Sequence, residues 1–167
     1  MLKIINELKP FFEDNYRMIH VREYAKMQKI SPPTASKVLD TLCRENLLKK
    51  EIDRQYYFYF ANKDSGVFRD LQRIYWKIKL QPLLREISKQ SIDSVVVLFG
   101  SIAKAEAKSD SDIDLAIFTP SNKDVDVKSF EKKLKRKIQI FVFKKLENAP
   151  KELKNNILNG YILEGSF

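Results

Sequence analysis

The chain has 167 residues, 44% of them apolar, which is enough for one domain of ordinary size or two small ones. No apolar run approaches the ~18 residues needed to span a bilayer, so no membrane partner is expected. The single cysteine, Cys43, excludes a disulfide framework and a Cys-type zinc site.

The opening MLKIINELKPFF carries an acid and lacks a small-residue cleavage site, so no secretory leader is expected and the cytoplasm is the expected location. The formal net charge is +9, with +6 in residues 1–80 and +3 in the remainder. A basic excess suits a polyanionic partner; plain solubility is the competing explanation.

In chain order, Ile5, Leu8 and Phe12 predict a helix within residues 2–15. A second, short helix is predicted over 21–28, with Val21, Tyr24 and Ala25 on one face. Lys29, Ile30 and Ser31 form a turn. Ser31 is placed to cap the next helix and Pro32 to open it, where a missing N–H costs nothing. That helix runs to about Glu45, with Ala35, Val38, Leu39 and Leu42 inward. Two short helices joined by a tight turn make a helix-turn-helix pattern. The following LLKKEIDRQYYFYFAN alternates and is rich in Tyr and Phe; with Asp53-Arg54 between two strand-like runs it reads as a hairpin.

Residues 16–62 resemble the winged-helix domains of prokaryotic, especially archaeal, regulators. The resemblance implies that the second helix of the motif enters the major groove of DNA while the hairpin touches backbone or minor groove. The outward residues Thr34, Ser36, Lys37, Thr41 and Arg44, with Arg54 and Gln55 at the wing, would then face DNA. Lys37 and Arg44 suit phosphate neutralisation or guanine readout. Asp40 reads as the edge of that footprint, and protein docking is the competing use of the module. His20, the lone histidine, reads as a cap or packing residue, and Cys43 as a small packing residue.

Residues 64–81 place Val67, Leu71, Ile74 and Ile78 at helical spacing. Pro82 is expected to end that helix or open another, with Leu83, Leu84 and Ile87 continuing an apolar face. The segment reads as a connection, packed within the chain or forming a homodimer seam through Phe68, Tyr75 and Trp76.

SVVVLFG is a nearly continuous apolar run that fits a buried strand ending at Gly100, which lets the backbone turn sharply against a ligand. Ser101 opens SIAKAEAK, of helical composition. A strand, Gly-Ser and a helix start suggest a phosphate site, with Ser101 as donor and Lys104 and Lys108 as nearby cations. Neither a Walker loop nor a dinucleotide fingerprint is present. A calcium loop over Asp110, Asp112 and Asp114 fails, because Leu115 and Ser121 stand where its glycine and glutamate belong. DSDIDLAIF reads as a strand entering the core. Alternate strand residues share a face, about 6.6 Å apart, so Asp112 and Asp114 point together and Ile113 away. Two such carboxylates repel unless cations lie between them, and Mg²⁺ or a pair of metals is the natural solution.

Gly-Ser, ten residues, then Asp-x-Asp is similar to the signature of the polymerase-β-like nucleotidyltransferases; LFGSIAKAEAKSDSDIDLAIF resembles their minimal members, and the whole chain an archaeal-type fusion of winged helix and transferase. The resemblance implies that Gly100 and Ser101 hold the triphosphate of an NTP, ATP foremost, and Lys104 joins them as a nucleotide-binding cation. Asp112 and Asp114 are the implied catalytic metal ligands for one or two Mg²⁺ ions. A nucleoside monophosphate would pass to an acceptor hydroxyl. Two departures stand out. The superfamily's third carboxylate falls best on Gln139 in RKIQIFVFKK, after a basic helix of residues 125–135, and Ala105 replaces a customary glycine. Asp124 and Asp126 precede that helix, and KKLKRK at 132–137 reads as a solvated face or the lining of a polyanion groove.

The expected fold class is α+β: residues 1–62 a winged helix-turn-helix, 63–91 connecting helices, and 92–167 a small mixed-sheet nucleotidyltransferase domain. Three functions compete: a transferase, with a HEPN-type protein among its expected partners; a DNA-binding regulator with a degenerate nucleotide-sensing domain; and a protein adaptor.

Overall fold

The structure is a computed structural model that describes residues 2–90, 94–120 and 125–167. Ser121 and Asp124 lie outside the described residues. The chain divides into two compact units, residues 1–75 with 105–109, and residues 76–104 with 110–167.

The first unit begins with helix α1 (Lys3–Glu13) and a two-residue strand β1 (Ile19–His20). Helix α2 (Val21–Gln28) starts where His20 Nδ1 accepts from the Glu23 N–H at 3.3 Å, so the lone histidine is a cap. Lys29, at φ 56°, closes α2 with its N–H on carbonyls of the last turn. Helix α3 (Pro32–Arg44) is capped by Ser31 Oγ, which accepts from Thr34 N at 3.4 Å, and Pro32 occupies its first turn. Strands β2 (Leu48–Asp53) and β3 (Tyr56–Ala61) form a hairpin, and β1 adds to its far side in the order β1-β3-β2. The turn residues are Arg54 and Gln55, one step beyond the Asp53-Arg54 expected from sequence, since Asp53 still pairs with Tyr56. Ile5, Leu8, Phe11, Phe12, Tyr24, Leu39 and Tyr59 form the core. Phe12 packs on Phe68 and Tyr75 at ring distances of 5.1 and 5.4 Å.

Helix α4 (Gly66–Gln90) contributes to both units and corrects two expectations. It runs unbroken through Pro82. Proline inside a helix costs about 3 kcal/mol, through the lost hydrogen bond and the clash of its ring with the carbonyl four residues back. Here Pro82 and Ile78 are exposed, while buried Leu80, Leu83, Leu84 and Ile87 hold both arms in place. The buried stripe is also not Val67, Leu71, Ile74 and Ile78, of which Val67, Ile74 and Ile78 are exposed. Phe68, Gln72, Tyr75 and Trp76 are buried instead, and are not open to a dimer seam. The helix is apolar around much of its girth, and burying aromatic rings removes more surface from water than burying Val and Ile.

The second unit holds a mixed four-stranded sheet, in the order β6-β5-β4-β7. Strands β4 (Val95–Phe99) and β5 (Ile113–Phe118) pair antiparallel, and β5 pairs parallel with β6 (Ile138–Phe143). Between β4 and β5 lies the four-residue helix α5 (Gly100–Ala103), and before β6 lies α6 (Lys128–Leu134), shorter than the basic helix expected over 125–135. Helix α7 (Lys151–Leu158) precedes β7 (Tyr161–Glu164), which pairs antiparallel with β4 and makes the tail an edge strand. Val95, Val97, Phe99, Ala116 and Phe118 pack with Ile157 in one apolar cluster, which keeps β4 and β5 rigid where they carry the polar residues at their ends. Among the described residues no helix is long and apolar enough to cross a membrane.

Candidate nucleotide site

The chain leaves β4 at Gly100, whose φ is +74°. Phe99 stands opposite Asp114 in the β4–β5 pairing, so the turn and the aspartate are brought face to face by register. A Cβ placed on Gly100 would lie 2.1 Å from Asp114 Oδ2. The carboxylate therefore fills space that only glycine leaves open.

Asp112 lies just ahead of β5 and Asp114 inside it. Ile113 between them is fully buried, while both aspartates are half-exposed, so the two carboxylates share the side opposite Ile113. Burial raises the pKa of the Asp114 carboxyl, and the neighbouring Asp112 charge raises it further. Gln139 of β6 is the register partner of Asp114, and its Nε2 donates to Asp112 Oδ2 at 2.6 Å. The third side chain of the cluster is therefore an amide. Among the described residues no group of three or more His, Cys, Asp or Glu is placed to hold a metal. Asp126 accepts from the Lys128 N–H at 3.0 Å and serves the start of α6. A half-buried pair of like-charged carboxylates still fits one divalent cation, whose remaining positions water and phosphate oxygens would fill.

Ser101 is half-buried in α5, and exposed Lys104 donates to Asn156 Oδ1 of α7 at 2.9 Å. The helix expected over SIAKAEAK stops at Ala103. Ala105 takes a left-handed φ of +58°, and within the first unit Ala107 exchanges hydrogen bonds with buried Asn15. Asn15 N donates to Ala107 O at 2.8 Å, and Ala107 N to Asn15 Oδ1 at 2.9 Å. These bonds override the local helical preference. Asn15 in turn donates to Gln72 Oε1 at 2.6 Å.

The charge run KKLKRK is not uniform. Lys132, Lys133, Lys135 and Lys137 are exposed, but Arg136 is buried. Its Nη1 donates to the Ser111 carbonyl at 2.5 Å and its guanidinium lies 5.3 Å from the Trp76 ring centre. Sequence reading passed over Arg136; the only signal was one arginine among lysines at the entrance to a strand.

In the first unit, exposed Thr34, Lys37, Thr41 and Arg44 line one stripe of α3, and Arg54 and Gln55 stand exposed at the hairpin tip. Ser36, expected to face outward, is half-buried and donates to Asp40 at 3.5 Å. Asp40 also accepts from Lys50 Nζ at 3.2 Å and Tyr59 Oη at 3.1 Å, so it pins α3 to the hairpin. Half-buried Cys43 has its thiol pKa raised, chiefly by burial, as a packing residue would.

A family model described as Polymerase beta, Nucleotidyltransferase matches residues 79–164, just over half of the chain and the whole of the site. The second unit is thus a nucleotidyltransferase domain, and the chain belongs to the polymerase-β nucleotidyltransferase family. No curated protein and no solved structure matches it.

Proposed function

We propose that the second unit binds a Mg²⁺–nucleoside triphosphate, ATP foremost, and transfers its nucleoside monophosphate to an acceptor hydroxyl with release of pyrophosphate. The observation that carries this reading is the Asp114 carboxylate lodged against Gly100, with Asp112 beside it. Asp112 and Asp114 would hold the ion, which when bound neutralises phosphate charge and lowers the pKa of the attacking hydroxyl. Gly100 gives the backbone its close approach to the phosphates, Ser101 supplies a hydroxyl donor, and Lys104 a cation. The test incubates the protein with Mg²⁺, labelled ATP and candidate acceptors, beside an Asp112→Ala/Asp114→Ala variant. Label transfer that the variant lacks supports the enzyme.

Gln139 supports a second reading. An amide carries no charge and accepts no proton, and here it spends its N–H on Asp112. Metal-dependent ATP binding without transfer would make the domain a nucleotide sensor attached to a regulator. The first unit supports the regulator half. Its order of helix, short strand, two helices and hairpin, with β1 beside β3, supports the winged helix-turn-helix reading. Thr34, Lys37, Thr41 and Arg44 would enter the major groove and Arg54 would touch the backbone. Lys37→Ala should weaken DNA binding across sequences and reduce its salt slope by about one. A parent protein that shifts no DNA at low salt removes this half.

A further inference from the structure

We propose that Arg136 is a positioning residue for the cation site: it fixes the backbone that presents Asp112. The proposal rests on the reading of Asp112 and Asp114 as cation ligands. Arginine is rarely buried without a partner. Arg136 is only 6% exposed, while four lysines in the same run stay in solvent. Its Nη1 donates to the carbonyl of Ser111, in the peptide unit immediately ahead of Asp112. A hydrogen bond from an ionised donor is the strong kind, and the Trp76 ring over the guanidinium keeps water from competing for it.

The other side of Asp112 is held by the next residue of the same segment, since Ile113 N donates to Lys137 O at 2.9 Å. Gln139 then holds the carboxylate itself at 2.6 Å. Residues 136–139 thus grip Asp112 before it, after it and at its tip. Groups that orient a metal ligand in this way usually change metal affinity about 10–100-fold when removed. A lysine at 136 would keep the charge and one donor but not the flat guanidinium over the indole.

The test measures Mn²⁺ binding to the full chain, from the electron paramagnetic resonance signal of the free ion, for the parent, Arg136→Met, Arg136→Lys and Asp112→Asn. Thermal melts in EDTA accompany each titration. Arg136→Met should lose about 10–100-fold in Mn²⁺ affinity while still melting cooperatively, with Arg136→Lys between it and the parent. A folded Arg136→Met that binds within about twofold of the parent overturns the proposal. If Arg136→Met does not fold, Arg136→Lys decides: binding within about twofold overturns the proposal, and a larger loss upholds it. A parent that binds no Mn²⁺ overturns the reading of the aspartates and this inference with it; a parent that binds and loses binding in Asp112→Asn keeps that reading whatever Arg136 does.

Discussion

The turn after β4 and the tip of the hairpin both need a left-handed backbone, and they meet the need in opposite ways. At the first, a φ of +74° falls on Gly100; at the second, φ values of +44° and +71° fall on Arg54 and Gln55. Gly100 answers two demands, the dihedral angle and the Asp114 carboxylate pressed against it. The hairpin tip is exposed and has the pattern of a type I′ turn, where Asn-Gly is the favoured pair. Two long side chains there cost the backbone about 1 kcal/mol or more each. In one region the backbone is chosen so that a functional group can come close. In the other, two long side chains stand against the preference of the backbone.

The sharpest way to break this contrast is Gly100→Ala. The methyl group would have to displace the Asp114 carboxylate and hold an unfavourable dihedral, a loss on the order of 3 kcal/mol in urea unfolding. Mg²⁺–ATP binding should vanish with it. A variant as stable as the parent would show that the turn does not confine Asp114.

Asp114→Asn probes the same contact through charge. The carboxyl pKa is raised in the folded chain, by burial and then by Asp112. The folded state therefore holds this proton more tightly than the unfolded state. In EDTA, stability should fall as pH rises from the ordinary carboxylate pKa through the raised one. Asp114→Asn should flatten that fall and raise the melting temperature at neutral pH without metal. It should also lower Mg²⁺ affinity, by more than the roughly 10–100-fold that follows loss of a group that only orients a ligand. A neutral-pH melting temperature that drops in EDTA would contradict the burial argument.

Much of this contrast was legible in the residues themselves. Ser31-Pro32, the apolar run into Gly100-Ser101 and the Asp-x-Asp pair are local signals; the structure places the first two on the expected helix start and turn, and Asp114 on the expected strand with Asp112 just ahead of it. What escaped were choices settled by distant partners. The apolar residues of α4 surround much of the helix, so spacing could not decide that Phe68, Tyr75 and Trp76 go inward. SIAKAEAK has helical composition, but Asn15, far away in sequence, takes the Ala107 backbone out of the helix. Ser36 and Asp40 looked like surface residues until the hairpin supplied Lys50 and Tyr59. Arg136 was hidden among lysines that resemble it in charge and differ from it in shape.

At the hairpin the opposite test applies. Arg54→Asn/Gln55→Gly should stabilise the first unit by about 1 kcal/mol, because the new pair accepts the left-handed angles without strain. If the tip touches DNA, the same variant should bind it more weakly, with a salt slope smaller by about one. Stabilisation with unchanged DNA affinity would mean that Arg54 and Gln55 serve neither stability nor DNA contact.

The smallest effect is expected at Ala105, where a left-handed φ of +58° falls on a buried residue that is not glycine. Removing a buried methyl normally costs about 0.8 kcal/mol, and glycine adds about 0.5–1 kcal/mol through the freedom of the unfolded chain. Relief of the left-handed strain returns about 1–2 kcal/mol. The contributions nearly cancel, so Ala105→Gly should stay within about 1 kcal/mol of the parent. Ala103 is equally buried but lies in helical α5, so Ala103→Gly should cost the full sum, about 1.5 kcal/mol. Urea unfolding of the two variants side by side isolates the strain from the lost methyl. Equal losses would mean that the backbone at 105 is relaxed, and that close packing at Gly100 alone forces glycine into this segment.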